Sequence, residues 1–76
     1  MPDAETFHIQ ALELATEMGA PNEQGRAREG IGQCQLRQGR RDQAVQSLSE
    51  ALAIYRQIGS PRAGQVEDTL REHCLT

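Results

Sequence analysis

The chain has 76 residues, with eight Arg, no Lys and eleven acidic residues, and its formal net charge is −3. A chain of this length forms at most one small domain, which is too small for an enzyme with a deep buried active site. No apolar run approaches the roughly 18 residues of a membrane-spanning helix, and residues 1–15 lack the pattern of a secretory signal. We therefore expect a cytoplasmic protein that does not contact membranes.

The charges are unevenly distributed along the chain. Residues 1–25 contain five acidic and no basic residues, whereas residues 26–41 contain five Arg and one Glu. The acidic total argues against a nucleic-acid-binding protein, and the basic segment lacks the interleaved aromatics of a single-strand binder. The Arg-rich segment is either an ordinary solvated surface or a patch that receives an acidic peptide or the acidic first segment of another copy.

Residues able to support catalysis or metal binding are few. His8 and His73 are the only general-base candidates near neutral pH, and Cys34 and Cys74 are the only thiols. Adjacent residues such as His73 and Cys74 point in different directions on a helix, and neither cysteine has a second one at metal-ligand spacing. We expect reduced thiols, no bound metal or cofactor and no enzymatic activity.

The first half of the chain predicts two helices. Residues 4–18, capped by Asp3, carry apolar residues at the spacing of an amphipathic helix and end at Gly19. Residues 23–38, capped by Asn22, have a weaker apolar stripe and end at Gly39.

The second half predicts two more helices, and no segment alternates in the manner of a strand. Residues 42–58, capped by Asp42, have the clearest apolar stripe and end at Gly59. Ser60 and Pro61 suit the start of a last helix over 62–74. The predicted core consists of Phe7, Ala11, Leu14, Met18, Ala27, Ile31, Cys34, Ala44, Leu48, Ala51, Leu52, Tyr55, Ile58, Val66 and Leu70.

The chain repeats itself at a spacing near forty residues. A shift of forty places Ala11-Leu12 on Ala51-Leu52 and Met18-Gly19 on Ile58-Gly59, and the shift drops to thirty-nine after the turn. Such a repeat is typical of helical hairpins that stack because one hairpin cannot bury its apolar face alone. The sequence therefore predicts an all-α stack in which the helix over 42–58 repeats the helix over 4–18 and the helix over 62–74 repeats the helix over 23–38. In the repeat family described next, helices 23–38 and 62–74 would be first-type helices, and helices 4–18 and 42–58 second-type helices.

Ile31-Gly32 on the second helix, followed by Ala44, Leu48 and Ala51 on the third, resembles the pattern of the tetratricopeptide repeat (TPR) family. The wider wording of residues 39–44 and 51–61, Gly-Arg-Arg-Asp-Gln-Ala followed by Ala-Leu-Ala-Ile-Tyr-Arg-Gln-Ile-Gly-Ser-Pro, resembles a longer-period subtype. That subtype is found in C-terminal arrays of actinobacterial multidomain transcriptional activators. The resemblance implies a right-handed stack of antiparallel hairpins, with one complete repeat over residues 23–58. Arg28 and Gln35 stand where the family favours aromatic residues, so we expect weakened packing there.

The resemblance also implies a non-catalytic protein–protein interaction module, in which first-type helices line a groove for another protein, a peptide or another domain of the parent protein. The parent would be a multidomain transcriptional regulator with this segment in its C-terminal part. Self-association through exposed ends of the stack and direct nucleic-acid binding remain alternatives. The implied groove residues are Arg26, Glu29, Gln33, Leu36, Arg37, Gln65, Asp68 and Glu72.

Overall fold

The computed structural model describes residues 3–74. They form four helices in the order α1 Ala4–Met18, α2 Pro21–Arg37, α3 Arg41–Gln57 and α4 Arg62–Cys74. Each helix packs against the next along the chain, and no strand occurs among the described residues. The helices form a thin layer of 38 × 34 × 14 Å. The predicted all-α stack of antiparallel helical hairpins is therefore confirmed.

The ends of α1 follow the local chemistry of the sequence. Asp3 precedes the helix, and its carboxylate Oδ1 accepts a hydrogen bond from the Thr6 N–H at 2.8 Å. At the other end Gly19 has φ +63°, a left-handed conformation that glycine adopts without steric cost. This turn allows the Ala20 N–H to donate to the Ala15 carbonyl at 3.0 Å, which closes the helix. The bounds of α1 coincide with the predicted 4–18.

The predicted caps of α2 and α3 are wrong, because both helices begin before the residues that were expected to cap them. Asn22 and Asp42 lie inside the first turns, and no side chain caps either helix. Pro21 occupies the first position of α2, where its missing N–H costs nothing. In contrast, the Ser60 hydroxyl does accept a hydrogen bond from the Arg62 N–H at 3.2 Å at the start of α4.

The core is centred on α3, which packs against α2 on one side and α4 on the other. Leu48, Ala51 and Tyr55 of α3 are fully buried, and Val66 of α4 packs with them. Predicted core residues that the structure buries are Ala27, Cys34, Ala44, Leu48, Ala51, Leu52, Tyr55 and Val66.

Two glycines of α2 permit its close approach to α3. A Cβ on Gly32 would lie 2.7 Å from Leu48 Cγ, and a Cβ on Gly25 would lie 2.6 Å from Tyr55 Cε1. Both distances are shorter than real carbon contacts, so only glycine fits between these helices without a shift of the neighbouring side chains. Leu48 and Tyr55 of α3 thus pack directly against the α2 backbone.

The prediction of buried positions on α1 is wrong in part. Phe7, Leu14 and Met18 are 62%, 57% and 69% exposed, and Ile58 at the end of α3 is 40% exposed. For the residues of α1 the cause is the position of this helix in the stack: α1 packs chiefly against α2, whereas α3 lies between two helices. One side of α1 therefore faces solvent although its pattern is apolar.

At Arg28 and Gln35, where we expect weakened packing, both side chains make polar contacts to α3. The Arg28 guanidinium pairs with Glu50 at 3.0 Å. The buried Gln35 side chain accepts a hydrogen bond from the Ser47 hydroxyl at 2.8 Å. Cys34 is buried as a free thiol, while the side chain of Cys74 lies outside the described part of the structure.

Candidate functional site

An open groove with a volume of about 850 Å³ lies between α1 and α2 and reaches the first residue of α4. Its α1 wall is largely apolar, and its α2 wall is mostly polar. The α1 wall contains His8, Ala11, Leu14, Ala15 and Met18. The α2 wall contains Glu23, Arg26, Ala27, Glu29, Gly30, Gln33 and Arg37, and α4 contributes Arg62. An apolar wall opposite a charged one suits an amphipathic segment.

Local geometry joins the two walls at both ends. The Gln24 side chain donates to the Ala15 carbonyl at 3.4 Å near the end of α1. Gln38 and Arg40, which follow α2, donate to the Glu5 carboxylate at 3.2 and 3.4 Å near its start. A Cβ on Gly30 would lie 2.5 Å from the His8 ring, so this glycine allows the histidine to pack on the α2 backbone between those ends.

A hydrogen-bonded cluster at the side of the groove connects three helices. The Tyr55 hydroxyl donates to Glu29 Oε1 at 2.9 Å, and Arg62 donates to the same oxygen from Nη2 at 3.1 Å. The Arg62 guanidinium also lies 6.0 Å from the centre of the Tyr55 ring. Burial raises the pKa of Tyr55, and its hydrogen bond to the Glu29 carboxylate raises it further. Glu29 is thus held by α3 and α4, and its charge is matched by Arg62.

Two arginines on the α2 wall remain without an acidic partner among the described residues. Arg26 and Arg37 are exposed, and neither forms an ion pair within residues 3–73. Arg37 Nη2 lies 3.4 Å from the Cys34 sulfur, which is a weak acceptor. Three helical turns separate the two arginines, so they lie on the same side of α2 about 16 Å apart along its axis. This edge of the groove therefore offers two guanidinium groups to an anionic segment.

Some of the groove residues implied by the family resemblance line the groove between α1 and α2, and others lie elsewhere. Arg26, Glu29, Gln33 and Arg37 line the groove together. The implied position of Leu36 is wrong, because Leu36 is half-buried and packs against the core cluster of α3 and α4.

The positions implied on α4 do not contribute to the groove walls. Gln65, Asp68 and Glu72 are exposed on α4 and do not line the groove, and Asp68 accepts a hydrogen bond from Arg71 at 3.4 Å. Only the first residue of α4, Arg62, reaches the groove.

The α1 wall was missed because the resemblance placed the groove on first-type helices only. Ala11, Leu14 and Met18 were assigned to the core instead. The available signal was the position of α1 at one end of the four predicted helices, where its apolar stripe has fewer neighbours than that of α3.

The described residues provide little for other chemistry. Within residues 3–73, no group of three His, Cys, Asp or Glu side chains is placed to hold a metal ion. None of the helices described is both long and apolar enough to span a bilayer. His8 packs against Gly30 and makes an edge-on contact with the Phe7 ring at 5.7 Å between centroids.

Comparison with known proteins agrees with the geometry of the stack. A family model described as Tetratricopeptide repeat matches residues 1–57, which is well over half of the chain. No curated protein and no solved structure gives a significant match to this chain. TPR repeats generally mediate protein–protein interactions and typically act as non-catalytic scaffolds. The glycine-mediated packing of α2 on α3, the stacked hairpins and the family match lead to one conclusion: the chain belongs to the tetratricopeptide repeat family.

Proposed function

We propose that this chain is a non-catalytic interaction module whose groove between α1 and α2 receives an acidic, amphipathic segment of a protein. The observation that supports this most directly is the pair Arg26 and Arg37 on one edge of the groove, two exposed arginines that have no acidic partner within residues 3–73. Charge-assisted hydrogen bonds from guanidinium groups to carboxylates are short and directional, so this edge would select carboxylates. The apolar α1 wall would bury the apolar face of the same segment.

The groove favours a segment with two different faces. Leu14 and Met18 offer exposed apolar surface, and Ala11, one turn before Leu14, is small enough to let another backbone approach. Glu29 is already bound by Tyr55 and Arg62, so it adds no unmatched negative charge next to the arginines. Glu23 at one end of the groove is the remaining acidic group of the lining.

A direct test uses a fluorescein-labelled helical peptide with leucines on one face and two glutamates three turns apart. Binding, measured by fluorescence anisotropy, should weaken about tenfold or more in the Arg26→Glu, Arg37→Glu double variant, because each reversal replaces attraction by repulsion. Arg41→Glu with Arg71→Glu is the matched control, since it changes the net charge equally outside the groove. Equal affinities for the two double variants would contradict the proposal, and unchanged helicity by circular dichroism would exclude unfolding as the cause.

We further propose that the module belongs to the C-terminal part of a multidomain transcriptional regulator that acts in the cytoplasm. The resemblance of residues 39–44 and 51–61 to the longer-period TPR subtype supports this context. The parent reading frame provides the test: a DNA-binding domain and a P-loop ATPase upstream of this segment would support it. A parent without either domain would contradict it.

A further inference from the structure

A stripe of apolar residues runs along the exposed side of α1. Ala4, Phe7, Ala11, Leu14 and Met18 follow one another at spacings of three, four, three and four, which is the a/d pattern of a coiled coil over two heptads. Phe7, Leu14 and Met18 are more than half exposed. These five residues, called the α1 stripe below, present a continuous apolar seam to solvent.

The α1 stripe is not simply the repeat equivalent of the buried side of α3. The shift of forty residues places Phe7 on Ser47, whose hydroxyl is bound to Gln35 of α2 inside the stack. At this position α1 therefore carries a large aromatic ring where the packed helix carries a small polar group. A phenyl ring exposed over 62% of its surface gains free energy from any apolar partner that covers it.

One edge of the α1 stripe carries acidic residues, and the other edge lies next to arginines of α2. Asp3, Gln10 and Glu17 recur every seven residues along one edge, and Glu17 is exposed with no ion pair among the described residues. The groove lies along the other edge, where Arg26 and Arg37 of α2 form no ion pair with the described part of the chain. In a parallel pair of helices the left edge of one faces the right edge of the other, which is how g and e positions meet in coiled coils.

The axial positions of these charges agree to within the reach of an arginine side chain. The contact of Gln24 with Ala15 and the packing of His8 on Gly30 place the Arg26 backbone beside residue 12 or 13 of α1, about 6–7 Å along the axis from Glu17. Because side chains on a helix point towards its N-terminus, Arg26 and Glu17 lean towards each other along the axis. At the other end, the contacts of Gln38 and Arg40 with Glu5 place the end of α2 beside the start of α1. Arg37 therefore lies near the level of Asp3. Two copies with parallel, unstaggered α1 helices would bring each acid to an arginine of the other copy.

We propose that the occupant of the groove is the α1 helix of a second copy of this chain, with the two α1 stripes packed in parallel and Glu17 of each copy bound to Arg26 of the other. The inference rests on the proposed function, since it takes the groove as the interaction surface and identifies the acidic segment that binds there. The arrangement has two-fold symmetry, so it closes as a dimer and does not extend into a filament.

The dimer is expected to be weak, because only three large apolar side chains per copy lie in a seam of two heptads. Much of the gain from their burial offsets the lost translational and rotational freedom, so a dissociation constant on the order of 100 µM is expected. Sedimentation equilibrium from about 10 µM to about 1 mM should show the average mass rising from 8.4 kDa towards twice that value. A constant mass of 8.4 kDa up to about 1 mM would overturn the inference.

Charge reversal tests the pairing itself. Glu17→Arg and Arg26→Glu should each weaken the dimer about fivefold or more at low salt, because two-fold symmetry places every change in two contacts. An equimolar mixture of the two variants should dimerise like the wild type, since both contacts then join opposite charges again. Glu72→Arg and Arg41→Glu are matched controls away from the α1 stripe and should leave dimerisation unchanged. If the mixture dimerises no more tightly than either variant alone, the pairing of Glu17 with Arg26 is overturned.

A crosslinking experiment tests whether the two α1 helices of the dimer are parallel. Met18→Cys in a Cys74→Ser background should form a disulfide-linked dimer on oxidation, because a parallel two-fold seam places the two copies of position 18 side by side. An antiparallel seam would place position 18 next to position 4 and give no such product. Oxidation without crosslinking in a solution that sedimentation shows to be dimeric would overturn the parallel arrangement.

Sedimentation and peptide binding together distinguish a failure of this inference from a failure of the proposed function. A monomeric chain that binds the labelled acidic peptide through Arg26 and Arg37 would overturn the second copy as occupant and leave the groove as an interaction site. A chain that neither dimerises nor binds the peptide would overturn both.

Discussion

Gly25 and Gly64 occupy corresponding positions in the two first-type helices, thirty-nine residues apart, but their surroundings differ. A Cβ on Gly25 would lie 2.6 Å from Cε1, 3.0 Å from Cδ1 and 3.1 Å from Cζ of the fully buried Tyr55 ring. A Cβ on Gly64 would have no neighbouring atom within 4 Å. Replacing each glycine by alanine is therefore expected to change stability in opposite directions.

The magnitudes follow from two opposing effects. Alanine is favoured over glycine inside a helix by roughly 0.5–1 kcal/mol, so Gly64→Ala should stabilise the fold by about that amount. At Gly25 the same gain is opposed by overpacking, which typically costs about 1–3 kcal/mol when rigid neighbours must move. The Tyr55 ring is enclosed and its hydroxyl is fixed by Glu29, so we expect Gly25→Ala to destabilise by about 1–2 kcal/mol.

Thermal unfolding followed by circular dichroism measures this difference. One kcal/mol shifts Tm by roughly 4–8 °C in a domain of this size, so the two variants should differ by about 10 °C or more. Combining Gly25→Ala with Tyr55→Ala should cost less than the sum of the single changes, because the alanine methyl then enters the space left by the ring. A Gly25→Ala variant at least as stable as the wild type would refute the close approach of α2 and α3.

Three further predictions concern single interactions. Tyr55→Phe removes the hydrogen bond to Glu29 and should cost about 1–2 kcal/mol in urea unfolding, and a loss under about 0.3 kcal/mol would contradict that bond's role. Since Tyr55 is the only tyrosine, a phenolate absorbance titration should give a pKa above the ordinary value of about 10. Because the pKa is raised in the folded state, the free energy of unfolding should fall as pH rises above about 10, and Tyr55→Phe should remove this loss. The hydrogen bonds from Thr6 lower the pKa of Asp3, so the stabilisation of α1 by this cap should be lost as pH falls below about 4. The loss should appear as faster exchange of the Thr6 amide proton. An exchange rate that does not change with pH, after correction for intrinsic rates, would argue against the cap.

Features set by neighbouring residues in the chain could be predicted from the sequence. The glycines at 19, 39 and 59 all adopt positive φ at the ends of helices, and the apolar stripe of α3 is buried as expected. The caps at Asn22 and Asp42 were wrong because the sequence does not distinguish a cap from a polar residue in the first turn.

Features set by the number of neighbours in space were not accessible from the sequence. Phe7 and Leu14 belong to a stripe as regular as that of α3, yet they are exposed because α1 packs chiefly against one helix, α2. The same limit applies to the cluster of Glu29, Tyr55 and Arg62, whose members lie on three helices. Helical register placed Arg26 and Arg37 on one side of α2, but the α1 wall of the groove required the packed structure.

The most direct test of the interaction surface is a heteronuclear NMR titration of the isotope-labelled chain with the unlabelled acidic peptide, at a concentration where the chain is monomeric. We expect the largest chemical-shift changes on both walls of the groove, at Leu14 and Met18 of α1 and at Arg26, Gln33 and Arg37 of α2. Changes concentrated on the outer side of α4, or no changes at peptide concentrations of about 1 mM, would contradict it.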